Sequence, residues 1–542
     1  MERGLFIVKE ILYKHRKQSI LLVLLMVIGN IIMVINYFFN LKMTDAIINR
    51  NMNEFIRLLF IVLIIMTIKS LQGYIYGIKE SKIVKKVGID LRKDITDSFL
   101  HYDYEKYYKN DSGSYVSMFT NDTELILKEG VIQYYQMINE ILAVIFSLFG
   151  AALIHWSFLI IFPISLAIVM VTPKKLGPEM KKAYQSYSKA NGIFVGKVKN
   201  IMLGFGIFLS ENRLEEIGNK IHEFTYSFEE NKYSYNKTIY RSNTIINTVA
   251  VFANMLYIIG TGYLVVRGTI SPGSVIGLMN LAGMFFPNAQ SAISRKVSID
   301  SAESIYSNII KEVKSMEENN KEKKISISSL DSAIDVKDIY YSYDGKDELF
   351  NGLSTRFEKG KKYAIIADSG KGKSTFLNIL SGNLCGFKGQ IFYDKADLRK
   401  IDKKSLRNIT AYIDQNTYIL NESIRYNITI GRDISDEKLY EILKKVSLLD
   451  FVQSKTEGLD YKLTENGKNL SGGQRQRIAI ARALIGEKEI LFIDEGTSEL
   501  DFKTSKAIEN SILSNPNLTV LMVSHHITEN LTKKLDKFIK IA

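Results

Sequence analysis

The first 300 residues alternate between long apolar stretches and polar stretches, a pattern typical of helices that cross a membrane. A helix needs about 20 predominantly apolar residues to span the hydrocarbon core of a bilayer. The apolar stretches here approach or reach that length, and the fourth is the shortest. The pattern therefore predicts six transmembrane helices, at about 19–39, 55–77, 134–154, 157–172, 245–266 and 274–293.

The polar connections between these predicted spans are very unequal in length. The links after the first, third and fifth spans are short, whereas residues 78–133 and 173–244 form two long links of helical composition. Two interpretations stay open: the membrane helices continue beyond the bilayer, or the links form separate solvated arms. In the first case the chain should turn near 113–122 and near 201–211.

The pattern changes after a charged run, from long apolar stretches to short apolar runs that alternate with helical segments. Such alternation is typical of an α/β domain with a parallel sheet. We therefore expect a membrane domain at 1–315, a linker at 316–324 and a soluble domain at 325–542.

The positive charge of the chain is concentrated in the two long links. The net charge is +13, with nine Lys or Arg residues between Lys79 and Lys128 and twelve between Lys174 and Arg241. Basic residues favour the cytoplasmic side of a membrane, so the two long links should be cytoplasmic. With six spans, both termini then lie on the same side as these links. Because the membrane explains where the charge lies, we expect no nucleic-acid partner. The composition indicates a bacterial cytoplasmic membrane. The single cysteine, Cys385, excludes an intrachain disulfide.

A glycine-rich segment lies between a predicted strand at 363–366 and a predicted helix that begins near Phe376. It reads Ala367-Asp368-Ser369-Gly370-Lys371-Gly372-Lys373-Ser374-Thr375. This layout predicts a phosphate-binding loop, because the backbone N–H groups of such a loop and of the helix N-terminus converge on one anion. Lys373 can reach the β- and γ-phosphates, and the Ser374 hydroxyl can bind Mg²⁺.

Further polar segments follow at the ends of apolar runs. Leu470-Ser471-Gly472-Gly473-Gln474 precedes a helical run, and a predicted strand at 489–493 ends in Asp494 and Glu495. Another predicted strand, at 518–524, ends at His525. In order and spacing, these segments and the phosphate loop closely resemble an ATP-binding cassette (ABC) domain.

The six predicted spans with long inner links resemble the exporter-type half-transporter of the same superfamily. The resemblance implies an α-helical membrane domain of six transmembrane helices followed by an α/β P-loop NTPase domain of the ABC type. It also implies a second half-transporter as partner, because in this family the Leu-Ser-Gly-Gly-Gln segment of one domain caps the ATP held by the other. Exporters with one inactive site commonly lose the glutamate that follows the second strand or the Leu-Ser-Gly-Gly-Gln signature segment. This chain keeps both, as Glu495 and residues 470–474, so a homodimer is favoured and a heterodimer stays open.

The resemblance implies roles for the matching residues, with ATP and Mg²⁺ as cofactors. Glu495 would orient or deprotonate the water that attacks the γ-phosphate, and His525, Gln415 and Lys373 would complete the catalytic set. Mg²⁺ would be held by Ser374, Gln415 and Asp494. The nucleotide would be bound by an aromatic residue that stacks on adenine, by both glycine-rich segments and by one aspartate: Tyr343, Ser369, Gly370, Lys371, Gly372, Lys373, Ser374, Thr375, Ser471, Gly472, Gly473, Gln474 and Asp501.

Two positions depart from the family pattern. Ala367 stands where the phosphate loop normally begins with glycine, and Gly496 stands where alanine is usual. If the first position needs φ > 0, the Cβ atom of Ala367 costs about 1 kcal/mol and weakens nucleotide binding roughly fivefold.

The leading hypothesis is a membrane exporter driven by ATP hydrolysis, with a peptide (bacteriocin-like or signalling) or another amphipathic molecule as cargo. The alternatives are a lipid or drug exporter, an importer of a metal-chelator complex on the same fold, and an ATP-gated regulatory protein. Glu140, inside the third predicted span, could contact a cationic substrate or pair with another span.

Overall fold

The chain forms two compact units. In the computed structural model, the described residues are 14–99, 104–109, 112–318, 324–343, 348–368, 370–496, 500–523 and 532–541. The first unit comprises Met1–Phe99 and Gly113–Lys314, and the second comprises Leu100–Ser112 and Ser315–Ala542. A short segment inside the first long link thus belongs with the second unit, which the sequence did not indicate.

The N-terminal half of the chain consists of helices, several of them very long. Two π-helical turns, Met118–Asp122 and Ile126–Ile132, interrupt one of these runs. In chain order the α-helices are α1 (Arg16–Ile48), α2 (Met52–Phe99), α3 (Tyr104–Lys109), α4 (Ser112–Ser117), α5 (Thr123–Leu125), α6 (Gln133–Ile154), α7 (Phe158–Leu203), α8 (Phe205–Ser210), α9 (Leu214–Val266) and α10 (Ser274–Glu318).

Among the described residues, four helical runs are long and apolar enough to cross a membrane, judged by length and composition. They are Arg16–Ile48, Ser112–Ile154, Phe158–Leu203 and Leu214–Val266. The second and sixth predicted spans lie on α2 and α10, which are not among these four. Both helices carry polar side chains within the apolar stretch, for example Lys69 in α2 and Gln290 in α10. The count of six spans therefore remains a prediction.

The long links are continuations of the membrane helices. Helix α9 contains 53 residues, which at 1.5 Å per residue gives a length of about 80 Å, against about 30 Å for the bilayer core. The second expected turn is present, because α7 ends at Leu203 and α9 begins at Leu214. The first was wrong, because residues 113–122 are helical. The segment contains glycine, serine and asparagine, which have low helix propensity, but propensity is a weak preference that tertiary contacts override.

The parts of α7 and α9 that extend beyond the predicted spans pack against each other through aromatic rings. Tyr187 stacks on Tyr235, with ring centroids 5.1 Å apart, and Phe194 stacks on Phe228 at 4.9 Å. We call these four residues the aromatic ladder. Stacked rings bury a large apolar area with a defined geometry, so the ladder fixes how the two helices align.

Polar side chains on the membrane helices bind one another. The Asn30 amide in α1 donates to Asn139 Oδ1 in α6 at 3.0 Å. Arg295 Nε in α10 donates to Glu140 Oε1 at 3.1 Å, and the same guanidinium also binds Gln133. Glu140 thus pairs with another helix, which was one of the two roles considered for it.

The described residues of the second unit form two β-sheets. One is antiparallel, in the order β2-β1-β4-β5, and the other is parallel, in the order β6-β7-β8-β3-β9. The strands are β1 (Ala333–Tyr341), β2 (Phe350–Glu358), β3 (Lys362–Ile366), β4 (Lys388–Tyr393), β5 (Ala396–Asp397), β6 (Thr410–Ile413), β7 (Ile490–Asp494), β8 (Thr519–Val523) and β9 (Lys537–Lys540).

Helices cover the parallel sheet on both faces. Alternate residues of β7 enter two different hydrophobic cores: Leu491 and Ile493 enter one, and Ile490 and Phe492 enter the other. A strand buried on both faces reads as a continuous apolar run, as β7 does. The helices of this unit, besides α3, are α11 (Lys373–Leu380), α12 (Lys403–Ile409), α13 (Ile424–Thr429), α14 (Asp436–Lys445), α15 (Leu449–Gln453), α16 (Gly472–Leu484) and α17 (Phe502–Leu513).

Candidate nucleotide site

Four neighbouring strands of the parallel sheet end at the same edge. Strand β3 leads into the glycine-rich loop, β6 ends just before Gln415, and β7 ends at Asp494. Strand β8 ends at Val523, and its neighbour in the sheet, β7, is paired with it up to Asp494. Ligands of open α/β sheets bind outside the carboxyl ends of the strands, so this edge is the candidate site.

The glycine-rich loop turns sharply into helix α11. Gly370 and Gly372 have left-handed φ values of 80° and 84°, which glycine adopts without a steric penalty. A Cβ atom at Gly372 would also lie only 2.7 Å from Leu349 Cδ2. Lys373 is buried, and its Nζ donates to the carbonyls of Ala367 and Asp368 at 2.9 and 3.1 Å. The loop therefore holds the lysine ammonium next to the N-terminus of α11, where an anion would be favoured.

Ala367 is not strained. Among the described residues, those with left-handed φ in this loop are Gly370 and Gly372, and Ala367 is not one of them. Its side chain packs against the hydrophobic core beside β3. The condition under which the alanine would weaken nucleotide binding is therefore absent.

We expect the Ala367→Gly variant to keep the wild-type KM for ATP within about twofold and to lose about 0.4–1 kcal/mol of stability, because glycine makes the unfolded chain more flexible. Steady-state ATPase assays and thermal unfolding check this. Gly372→Ala serves as the contrasting variant, since it needs a left-handed φ and meets Leu349, so its KM should rise. A fall in KM for Ala367→Gly would show that the alanine impairs the loop.

Asp494 lies beside Ser374 and Tyr412. The Tyr412 hydroxyl donates to Asp494 Oδ2 at 3.3 Å, whereas Asp494 Oδ1 is buried without a hydrogen-bond partner among the described residues. Burial raises the pKa of Asp494 above its ordinary value, and hydrogen bonds from Ser374 and Tyr412 lower it in part. A buried carboxylate oxygen without a partner, next to a serine hydroxyl, is a donor set that suits Mg²⁺, so these residues fit the ion.

Glu495 is held in an unusual conformation. Its φ of 51° is left-handed, which is uncommon outside glycine. Gln415 Nε2 donates to Glu495 Oε2 at 3.0 Å, and the Glu495 N–H donates to the Val523 carbonyl of β8 at 3.2 Å. The next residue, Gly496, has no room for a side chain, since a Cβ atom there would lie 2.7 Å from Ile493 Cγ2. Glycine at this position follows from local packing.

Tyr343 is linked to the phosphate loop. Its hydroxyl hydrogen-bonds Thr375 Oγ1 at 2.9 Å, and its ring packs edge-on against Tyr341 with centroids 5.1 Å apart. The side chain is nevertheless 71% exposed, so the ring offers a face on which a flat base can stack.

The signature segment forms the start of helix α16. The Ser471 side chain accepts from Gln474 N–H at 3.2 Å, and Ser471 N–H donates to Gln474 Oε1 at 2.9 Å, a capping box that fixes the helix N-terminus. Gly472 and Gly473 form the first turn. Asp501 similarly caps α17 through Thr504 N–H. These contacts lie within the first turn of each helix, whereas at the sheet edge Gln415 binds Glu495 and Tyr412 binds Asp494.

Two predicted site residues, Ser369 and His525, lie outside the described residues. The remaining ones fall into two groups: the edge of the parallel sheet, and the N-termini of α16 and α17.

Two further residues touch the site, and neither was predicted from the sequence to have a role there. Tyr412 connects Asp494 with the helix that follows the phosphate loop, because its hydroxyl donates to Asp494 and accepts from Asn378 of α11 at 3.2 Å. Gln476 Nε2 donates to the Glu495 carbonyl at 3.0 Å. A signal was available for Gln476, which lies one helical turn before the buried Ile480 and is therefore on the inner face of α16.

Both units resemble known protein families. Residues 19–288 match the family described as ABC transporter transmembrane region, and residues 350–498 match the family described as ABC transporter. The uncharacterized ABC transporter ATP-binding protein y4gM of Sinorhizobium fredii is 30% identical over 293 residues, which are 53% of this chain and 50% of that protein. The chain thus aligns with half the length of that relative.

Longer matches also exist. The ATP-dependent lipid A-core flippase of Photobacterium profundum is 24% identical over 483 residues, which are 86% of this chain and 80% of that protein. The structure of a bacterial Atm1-family ABC exporter with ATP bound superposes with a TM-score of 0.78, over 98% of this chain and 94% of the other, at 18% identity. This last similarity concerns the fold.

Proposed function

Since the chain belongs to the ABC transporter family and joins the transmembrane and ATP-binding regions of that family in one polypeptide, we propose that it is one half of an ATP-driven exporter. Family membership makes it a membrane protein that binds and hydrolyses ATP. Our proposal adds the residue roles, the dimer, the direction of transport and the class of cargo.

The observation that carries the proposed roles is the grouping of Ser374, Asp494 and Glu495 at one edge of the parallel sheet. Ser374 and Asp494 would hold Mg²⁺, and Gln415 stays a candidate through its amide oxygen. When bound, the ion would neutralise charge on the β- and γ-phosphates. Glu495, fixed by Gln415, would orient the attacking water and accept its proton.

The phosphates would lie at the N-terminus of α11, beside the Lys373 ammonium, with adenine on the exposed Tyr343 ring. His525 is proposed from its position two residues after β8. The phosphate loop, the ends of the strands and Tyr343 supply the groups for all of these roles. They do not supply a cap, that is, a group that covers the γ-phosphate.

We propose that a second chain supplies this cap. The N-terminus of α16, with Ser471, Gly472, Gly473 and Gln474, is a second anion-binding element of the same chain, and the bonds between Ser471 and Gln474 lie within this first turn. Because every chain carries both elements, two copies can complete two sites, which favours a homodimer. The concentration of basic residues in the long links supports cytoplasmic termini.

We propose an amphipathic cargo with a large apolar part. Inside the membrane helices, Glu140 binds Arg295, and Asn30 binds Asn139. These polar side chains are thus engaged with one another, which favours a cargo that contacts mainly apolar surface. The preference for a peptide rested on how often exporters of this family carry peptides, and on no particular residue of the sequence. The similarity to a lipid A-core flippase, which extends over most of the chain, supports a lipid-like amphiphile.

We expect ATP-dependent movement of a fluorescent lipid with an anionic head group across proteoliposomes that contain the purified protein. A dithionite-quenching assay reports this movement, and a fluorescent amphipathic peptide in inside-out vesicles provides the second arm. Both are compared with the Glu495→Gln variant. Transport of the peptide alone would overturn the lipid-like cargo, and transport of neither, with ATP hydrolysis intact, would overturn the amphipathic cargo.

A further inference from the structure

Helix α16, which begins with the signature segment, is bonded directly to Glu495 of the same chain. Gln476, in the second turn of α16, is only 2% exposed, and its Nε2 donates to the backbone carbonyl of Glu495 at 3.0 Å. The contact joins residues 19 positions apart in the chain. It links an element that would engage the partner's ATP to the group that would hydrolyse the chain's own ATP.

The bond acts on a residue whose backbone is held away from its relaxed conformation. A left-handed φ such as the 51° of Glu495 persists only where the surroundings fix it. Among the described residues, Gln415 donates to the Glu495 side chain, the Glu495 N–H donates to Val523, and Gln476 donates to the Glu495 carbonyl. Of these, the bond from Gln476 comes from α16.

Helix α16 can transmit a displacement. Its N-terminus is fixed by the Ser471–Gln474 capping box, and Gln476 follows within the same 13-residue helix. A shift of Ser471 against a phosphate therefore moves Gln476 as part of one rigid body. Because the Gln476 bond ends on a carbonyl next to the strained φ, that shift changes where the Glu495 carboxylate lies.

We propose that Gln476 is a positioning residue that places Glu495 for hydrolysis when the signature segment engages the nucleotide of a second copy of this chain. This inference rests on the proposed dimer and deepens it, because it gives each chain a route from the shared site to its own site.

The test uses two substitutions of Gln476 in the full-length protein in lipid. Gln476→Met keeps the volume and removes the donor, and Gln476→Glu keeps the shape but cannot donate when ionised. We expect kcat to fall about 10- to 100-fold, as for a small displacement of a reacting group, with KM for ATP unchanged within about twofold. The Hill coefficient for ATP should fall towards about 1.

The matched control is Tyr393→Phe. Tyr393 is also 2% exposed and also donates from its side chain to a backbone carbonyl, that of Leu380 at 2.7 Å. It should change thermal stability without separating kcat from KM.

Binding of a fluorescent ATP analogue shows whether each variant is folded. If the Gln476 variants keep the wild-type kcat and Hill coefficient while wild-type turnover depends on Glu495, the inference is overturned and the proposed roles are not. A wild type with no turnover that depends on Glu495 would overturn the proposed roles and the inference together.

Discussion

The Glu495→Gln variant is expected to lose about 10²- to 10⁴-fold in ATP turnover, the usual contribution of a general base. The amide has nearly the shape of the carboxylate but cannot accept a proton from water. The bond from Gln415 survives, since the remaining amide oxygen can still accept it, and the backbone bonds to Val523 and from Gln476 do not involve the side chain. ATP binding should therefore be preserved.

The measurement compares turnover with equilibrium binding of a fluorescent ATP analogue in the same preparation. Glu487→Gln is the control, because Glu487 is a glutamate of the same domain that is 73% exposed and paired with Lys438. Turnover above a tenth of wild type in Glu495→Gln would remove Glu495 from the proposed role. It would leave ATP hydrolysis to another group.

The second large effect is expected in the membrane domain. Replacing Arg295 by leucine should destabilise this domain by about 3–5 kcal/mol, because it leaves the Glu140 carboxylate buried without a cation. Glu140 has a side chain that is only 10% exposed, and Arg295 is its ion-pair partner at 3.1 Å. Replacing both residues, as Glu140→Met with Arg295→Leu, should recover most of the loss, since a well-packed apolar pair of similar size is often neutral.

Thermal unfolding in detergent at one fixed scan rate measures these differences. Arg267→Leu is the control, since Arg267 lies over the exposed ring of Tyr263. The expected order of stability places the double variant above Arg295→Leu. If Arg295→Leu unfolds at the same temperature as Arg267→Leu, the pair does not stabilise the domain. If the double variant is no better than Arg295→Leu, Glu140 and Arg295 are not coupled.

The sequence predicted the parts of this protein that repeat a local pattern. The phosphate loop, the signature segment and the buried strands carry their information within a few neighbouring residues, so their fold class and family could be predicted. The match to both ABC transporter regions confirms that prediction.

What the sequence did not predict depends on contacts between distant segments. The bonds of Gln476 and Tyr412 to the ends of β7 join residues that only the folded sheet brings together. The consequence of Ala367 depends on its φ angle, which the residue type does not fix. The turn expected at 113–122 was wrong because polar residues near a long helix are compatible with either a turn or further helix.

The two ends of the paired helices α7 and α9 are surrounded by different solvents, lipid at one end and water at the other. Within the bilayer there is no hydrophobic force between helices, and association depends on close packing and polar contacts. In water, the aromatic ladder gains from removing its rings from the solvent. The ends of the hairpin therefore respond differently to the same perturbation. Urea or cooling weakens the aqueous end, and a change of lipid acts on the embedded end. Amide exchange along a single helix should accordingly divide into two regions with independent opening free energies.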